Sequence, residues 1–124
     1  MKIKRGTDII EIDRIKESID TLGERFVNKV FTDKEIQYCE SKKQQKYQHY
    51  AARFAAKEAV FKAISESLND KYAISWKDKE VINDKNGKPN VCIKKINTNN
   101  IEDIDLSISH CKEYASADVV VLYK

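Results

Sequence analysis

The stretch AARFAAKEAVFKA, residues 51–63, sets one acid, Glu58, among three cations, Arg53, Lys57 and Lys62, in a run of alanines and phenylalanines. The pattern predicts a helix, and at about 100° per residue Arg53 and Lys57 fall roughly 40° apart, as do Glu58 and Lys62. Val60 and Ile64 flank Arg53, while Phe54 and Phe61 fall between Lys57 and Glu58. The charges therefore share no single solvent stripe. A helix that is apolar nearly all round is buried, and a charge carried inward needs a partner. Two readings stand. In the first, Glu58 and Lys62 pair at the favourable i,i+4 spacing and the other two cations snorkel outward. In the second, the charges face a ligand.

Around this helix the chain is short and mixed in composition. Its 124 residues suit one domain, residues 1–124. A charged fraction of 35% and a hydrophobic fraction of 41% suit a folded globular chain rather than a disordered one. The net charge of +3, from 23 basic and 20 acidic residues, is too balanced to imply nucleic acid. The beginning, MKIKRGTDIIEIDRI, has no long apolar run, so neither a signal peptide nor a membrane span is expected. Cys39, Cys92 and Cys111 are odd in number and scattered. They read as free thiols of a cytoplasmic protein rather than as a disulfide framework or a zinc site.

Coarse periodicity gives the remaining elements. Residues 2–10 read as a strand with Asp8 near its end, and residues 13–30 as a helix. Thr32 and Glu35 form a capping box that starts a helix through about Glu40. The quoted run lies in a longer helix over about 44–66. The C-terminal half is β-rich, with strands over 74–82, 90–96, 105–111 and 114–123. NDKNGKPN (83–90) holds the only proline and reads as a hairpin turn. NTNNIED (97–103) reads as a second turn. A strand, then helices, then an antiparallel run predict an α+β fold, with a long central helix packed on an antiparallel sheet.

Three segments carry polar residues where packing alone would not put them: Asp8 in GTDIIEID, the charged helix, and Ser107, Ser109 and His110 in SISHCKEYA. Each is weak alone. An Asp after a strand is commonly a cap or turn residue, and a lone His is commonly structural. No Walker loop, GxGxxG, HExxH, CxxC or GxSxG is present. Together they suit phosphate chemistry. Two hard carboxylates, Asp8 and Glu58, are what Mg²⁺ takes from protein when phosphates and water fill its other positions. The neighbouring cations would neutralise charge on a transferring phosphoryl group. A single-strand nucleic-acid site would interleave aromatic and basic residues on one face, whereas the tyrosines here are dispersed.

These segments carry a resemblance. GTDIIEIDRI (6–15), FTDKEIQYC (31–39), RFAAKEAVFKA (53–63), NGKP (86–89) and SISHCKEYASADVVV (107–121) stand in the order found in holo-acyl-carrier-protein synthases. That family comprises the small single-domain 4′-phosphopantetheinyl transferases of bacteria. Its signature is an Asp at the end of a strand and a W/F-x-x-K-E-A-x-x-K run, here Phe54 to Lys62 with Lys57 and Glu58 inside. The resemblance implies transfer of the 4′-phosphopantetheine arm of coenzyme A to a serine of apo-acyl carrier protein, releasing adenosine 3′,5′-bisphosphate. It implies Mg²⁺ on Asp8 and Glu58, and Arg53, Lys57 and Lys62 near the coenzyme A phosphates. Asp8, Glu58 and Lys62 would carry the reaction. Gly87, Lys88 and Pro89 match the turn at the nucleotide end. Ser109 and His110 match a motif that lines the coenzyme A site from across a subunit boundary. Arg14 matches a basic residue that meets the acidic carrier protein, with Arg25 beside it.

A homotrimer is expected on the same ground. A chain of this size has little room for a coenzyme A cleft, and ADVVVLY (117–123) is apolar for an exposed edge strand. Glu58 is the leading candidate for the base, with Asp33 and Glu35 as alternatives. One departure from the family is AISESLND (63–70), which lacks the glycines common after the lysine-ending helix. Two other classes compete: a catalytically silent carrier-protein or nucleotide-binding module, and a small basic nucleic-acid binder. A silent module would keep the fold and lose the acids, and both acids are present.

Overall fold

The structure is a computed structural model that describes residues 1–68 and 74–124. Strand β1 (Lys2–Glu11) leads into helices α1 (Ile12–Leu22), α2 (Glu24–Val30), α3 (Asp33–Glu40) and α4 (Lys46–Ile64). Strands β2 (Lys79–Asn83), β3 (Pro89–Ile93), β4 (Ile101–His110) and β5 (Tyr114–Tyr123) follow. β1, β5 and β4 form one antiparallel sheet in that order, and β2 and β3 form a separate hairpin. The fold is α+β, with α4 packed across the three-stranded sheet.

Several boundaries differ from the periodicity. The helix expected over 13–30 breaks at Gly23, whose φ of +58° is a conformation that L side chains rarely adopt. The strand expected over 74–82 begins only at Lys79. Before it, Ser75 and Asp78 form a reciprocal capping box that winds Trp76–Asp78 into a 3₁₀ turn. The 44–66 helix is α-helical over Lys46–Ile64, with 3₁₀ turns Lys43–Gln45 and Ser65–Ser67 at its ends. The Thr32–Glu35 capping box is present, with Glu35 N–H on Thr32 Oγ1 at 3.3 Å and Thr32 N–H on Glu35 Oε1 at 2.9 Å. β4 starts earlier than expected, at Ile101, with a register irregularity before Asp103. β5 is the central strand rather than an edge, so its apolar sequence is explained by neighbours on both sides.

Small residues set the distance between helix and sheet. Ala55, Ala56, Ala59 and Ala63 pack against Leu106, Ala117, Val119 and Val121 in the core beneath α4. Gly6, paired with Val119, lies under this row. A Cβ at Gly6 would stand 1.9 Å from the Ala59 carbonyl oxygen, so main chain meets main chain there. Gly6→Ala should therefore destabilise the fold by about 3 kcal/mol, as overpacking of a closed core does. Denaturant midpoints check this, and a midpoint within error of the parent would mean that β1 can slide. On the outer face of the sheet Ile3, Ile9 and Val120 are exposed, at 65%, 68% and 39%.

Candidate active site

Asp8 meets the flank of α4 that carries Glu58 and Lys62, through its contact with Lys62. β1 runs over the helix with Lys4, Gly6, Asp8 and Ile10 on its more buried side, which brings Asp8 beside the last turns of α4. Lys62 donates from Nζ to Asp8 Oδ1 at 3.1 Å and to the Thr7 carbonyl at 2.9 Å. Glu58 lies one turn earlier on the same flank and is half-buried. Among the described residues it makes no hydrogen bond or ion pair. Of the two readings of the helix, the Glu58–Lys62 pair is thus absent, because Lys62 turns to Asp8 instead.

This donor set suits a hard cation with few protein ligands. Among the described residues no group of three or more His, Cys, Asp or Glu side chains converges as a metal cage. Two carboxylates, one of them wholly unengaged, match Mg²⁺ that takes its other oxygens from phosphate and water.

Lys57 is elsewhere. Its side chain is completely buried, and Nζ meets Glu35 Oε1 at 2.6 Å, the Val30 carbonyl at 2.7 Å and the Trp76 carbonyl at 3.2 Å. These three partners use all of its donors. Burial lowers its pKa while Glu35 opposes the shift. Glu35 in turn accepts from Thr32 N–H and, at 2.8 Å, from Val81 N–H. The expectation that Lys57 faces the coenzyme A phosphates is corrected within this chain: it ties α2, α3 and the turn before β2 to α4. Glu35 is likewise occupied and is removed from the candidate bases, while Asp33 is exposed at the start of α3. Lys57→Met should destabilise the fold by about 3–5 kcal/mol, since it leaves Glu35 charged and unpaired in the core. Thermal unfolding measures this, and the double change Lys57→Met, Glu35→Leu should recover much of the loss.

A second group of residues gathers on another side of α4. Arg53 is buried, stacks at 4.0 Å on the Tyr38 ring and donates to Asn83 Oδ1 at 3.4 Å. Among the described residues its Nε is buried without a partner. The His49 ring lies 5.5 Å from Tyr38 and 5.4 Å from His110. Burial, then the nearby His110, Lys42 and Arg53, push His49 down to about 4, so it is neutral at pH 7. Lys88 pairs with Asp105 at 3.0 Å and reaches the Leu106 carbonyl at 3.4 Å. That anchors the turn of Gly87 (φ +85°) and Pro89 against β4. Ser109 and His110 are both exposed and, as neighbours in a strand, point to opposite faces of the sheet. Arg53 and Glu58 are five residues apart, which sets them about 140° apart round the helix. The expected site residues therefore form two half-sites in one chain: Asp8, Glu58 and Lys62 on one flank, Arg53 and His110 on another.

Sequence reasoning missed Tyr38, His49, Asn83 and Lys79. His49 had a usable signal, standing four residues before Arg53 on the same helix. The others join only through the tertiary fold. Arg14 on α1 and Arg25 on α2 are exposed. In the glycine-poor loop, Ser65 Oγ donates to the Lys62 carbonyl and Ser67 Oγ to the Ile64 carbonyl, closing the end of α4. Its last two positions, 69 and 70, lie outside the described residues.

Comparison with known proteins agrees with this fold. The family described as the 4′-phosphopantetheinyl transferase superfamily matches residues 5–120. A holo-(acyl-carrier-protein) synthase of Ruminiclostridium cellulolyticum is 46% identical over 98% of this chain and 92% of its own. One from Protochlamydia amoebophila is 47% identical over 97% and 98%. Among solved structures, a Chronobacterium ammoniagenes complex of such a synthase with CoA superposes with a TM-score of 0.82 at 27% identity, covering 100% of this chain and 99% of that one. A Bacillus anthracis holo-(acyl-carrier-protein) synthase in complex with CoA (3′,5′-ADP) gives 0.74 at 35% identity, covering 95% and 94%. With a matching fold, a family match over nearly its whole length and relatives this similar, the chain belongs to the holo-(acyl-carrier-protein) synthases of the 4′-phosphopantetheinyl transferase superfamily.

Proposed function

We propose that this enzyme transfers the 4′-phosphopantetheine group of coenzyme A to a serine of apo-acyl carrier protein, with Mg²⁺ as cofactor, and releases adenosine 3′,5′-bisphosphate. It does so in the cytoplasm, as a homotrimer, activating the carrier used in fatty acid biosynthesis. The observation that carries the reading is the contact of Asp8 with Lys62, one helical turn from Glu58, which makes no hydrogen bond or ion pair among the described residues.

The acceptor hydroxyl attacks the phosphorus that bears pantetheine, in line with departure of the nucleotide phosphate. The phosphorus–oxygen bond to the nucleotide breaks, and its electron pair leaves with adenosine 3′,5′-bisphosphate. Asp8 and Glu58 would hold Mg²⁺, which supplies charge neutralisation at the phosphate oxygens when bound. Lys62, exposed at its tip and held by Asp8, is placed to donate to those oxygens. Glu58 is the candidate to accept the hydroxyl proton, because no residue of the described chain engages its carboxylate.

The division into two half-sites supports an oligomeric site, in which one copy contributes Asp8, Glu58 and Lys62 and its neighbour contributes Arg53, Ser109, His110 and the Gly87–Pro89 turn. The exposed Ile3, Ile9 and Val120 on the outer sheet face offer apolar surface for that association. Arg14 and Arg25 form the basic surface for an acidic carrier protein, where complementary charge speeds encounter. The test is incubation with apo-carrier protein, coenzyme A and Mg²⁺, followed by intact-mass spectrometry. The expected result is addition of one phosphopantetheine arm, abolished by chelator. An unmodified carrier serine under these conditions would remove the reading.

A further inference from the structure

Lys79 opens β2 and is 4% exposed, yet among the described residues its ammonium has neither a hydrogen-bond acceptor nor an ion-pair partner. It lies 4.9 Å from the ring centroids of both Phe61 and Trp76. Phe61 follows Glu58 by three residues on α4. Trp76 stacks, at 4.9 Å, on Phe54, which precedes Glu58 by four. The two rings thus bracket Glu58 along the helix and hold the ammonium on its flank. Burial pulls Lys79 down to about 8, the nearby Lys57 adds to that lowering, and the charge of Glu58 is the largest influence in the other direction, ahead of Asp78.

A lysine in this place needs explanation. The aromatic faces attract a cation, but an apolar side chain of the same length would fill the cage without the cost of stripping most of the water from a charge. A plain packing role therefore does not account for the ammonium. Its position beside Glu58 does. Asp8 is held by Lys62, and Glu58, which has no ion pair of its own among the described residues, has Lys79 on its flank beyond ion-pair distance.

We propose that Lys79 is the counter-cation of Glu58, and that with Lys62 it makes metal binding depend on the anionic substrate. The inference rests on the Mg²⁺ reading above. Two carboxylates and two ammonium groups are already balanced, so a divalent cation entering alone brings uncompensated positive charge at short range. A pyrophosphate brings the matching negative charge. Metal and coenzyme A then bind with positive coupling, and by linkage each tightens the other by the same factor. Lys79 contributes by opposing the metal when the anion is missing.

The experiment titrates Mn²⁺, a paramagnetic stand-in for Mg²⁺, into the full-length protein with and without coenzyme A, following free Mn²⁺ by electron paramagnetic resonance. In the parent protein Mn²⁺ should bind weakly alone and more tightly with coenzyme A. Lys79→Met keeps the stem in the cage and removes the charge. It should bind Mn²⁺ about tenfold more tightly in the absence of coenzyme A and lose coupling by a similar factor. Lys79→Arg, which keeps the charge, should behave as the parent and controls for disturbed packing. Coupling in the parent with unchanged Mn²⁺ affinity in Lys79→Met overturns the role of Lys79 and leaves the metal reading standing. Failure of the parent to take up Mn²⁺ even with coenzyme A overturns both.

Discussion

Glu58→Gln should lower turnover by about 100-fold or more, roughly 2.7 kcal/mol of barrier, while leaving the fold intact. The change keeps the shape of the side chain and nearly its helix propensity, and removes only the charge. Were Glu58 no more than a helix partner of Lys62, the loss would be on the order of 0.5 kcal/mol of stability with no effect on turnover. That pair is not formed, because Lys62 bonds Asp8, so even this small loss of stability is not expected. Asp8→Asn should match Glu58→Gln in turnover. It breaks the pair with Lys62, whose side chain is 52% exposed, so its effect on stability should stay small. If the two acids hold one metal ion, the double variant should be little worse than either single one, since residues acting as a unit are not additive. Measuring kcat against Mg²⁺ concentration for the four proteins decides the matter. Full activity in Glu58→Gln, or independent multiplicative losses, would remove the pair from the reaction.

Two crippled proteins should rescue one another when their subunits mix. Glu58→Gln damages the acidic half-site and Arg53→Met the basic one, and each alone should lose most of its activity. In a ring whose sites lie between neighbouring copies, random equal mixing gives a site with both halves intact in about a quarter of cases. Recovered activity should therefore approach about a quarter of the parent's. Arg53 is buried on Tyr38, so His110→Ala, a change at an exposed position, serves as the second partner if Arg53→Met folds poorly. A mixture no more active than its components would mean that each chain carries a complete site.

What could be read from the sequence depended on how far a residue's partners lie along the chain. The Thr32–Glu35 capping box closes within one turn and was legible. So was the hairpin of β4 and β5, where alternation and a short connection act together. Asp8 and Glu58 were legible through the signature they share with a known family, and the structure brings them to one flank of α4. Lys57 was not. Its partners Glu35, Val30 and Trp76 come from three other segments, and no periodicity links them. The break at Gly23 escaped because a glycine inside an apolar pattern is compatible with an unbroken helix. Lys79 escaped for the opposite reason: in a polar stretch a lysine attracts no notice, and only the rings of Phe61 and Trp76 reveal where its charge goes.

The contact between Gly6 and Ala59 makes the active-site spacing a property of the main chain. Side chains have rotamers and can yield, whereas a carbonyl pressed against a glycine Cα has no alternative state. Asp8 stands two residues beyond one jaw of this caliper and Glu58 one residue before the other. Their separation is gauged by two backbones in contact, not by whichever side chains fill the surrounding core. Sequence drift elsewhere beneath α4 can alter volume and stability without resetting the gap. Among the described residues, positions 6, 59 and 63, where the backbones touch, hold the setting, and an added methyl group at the first of them would open the jaws.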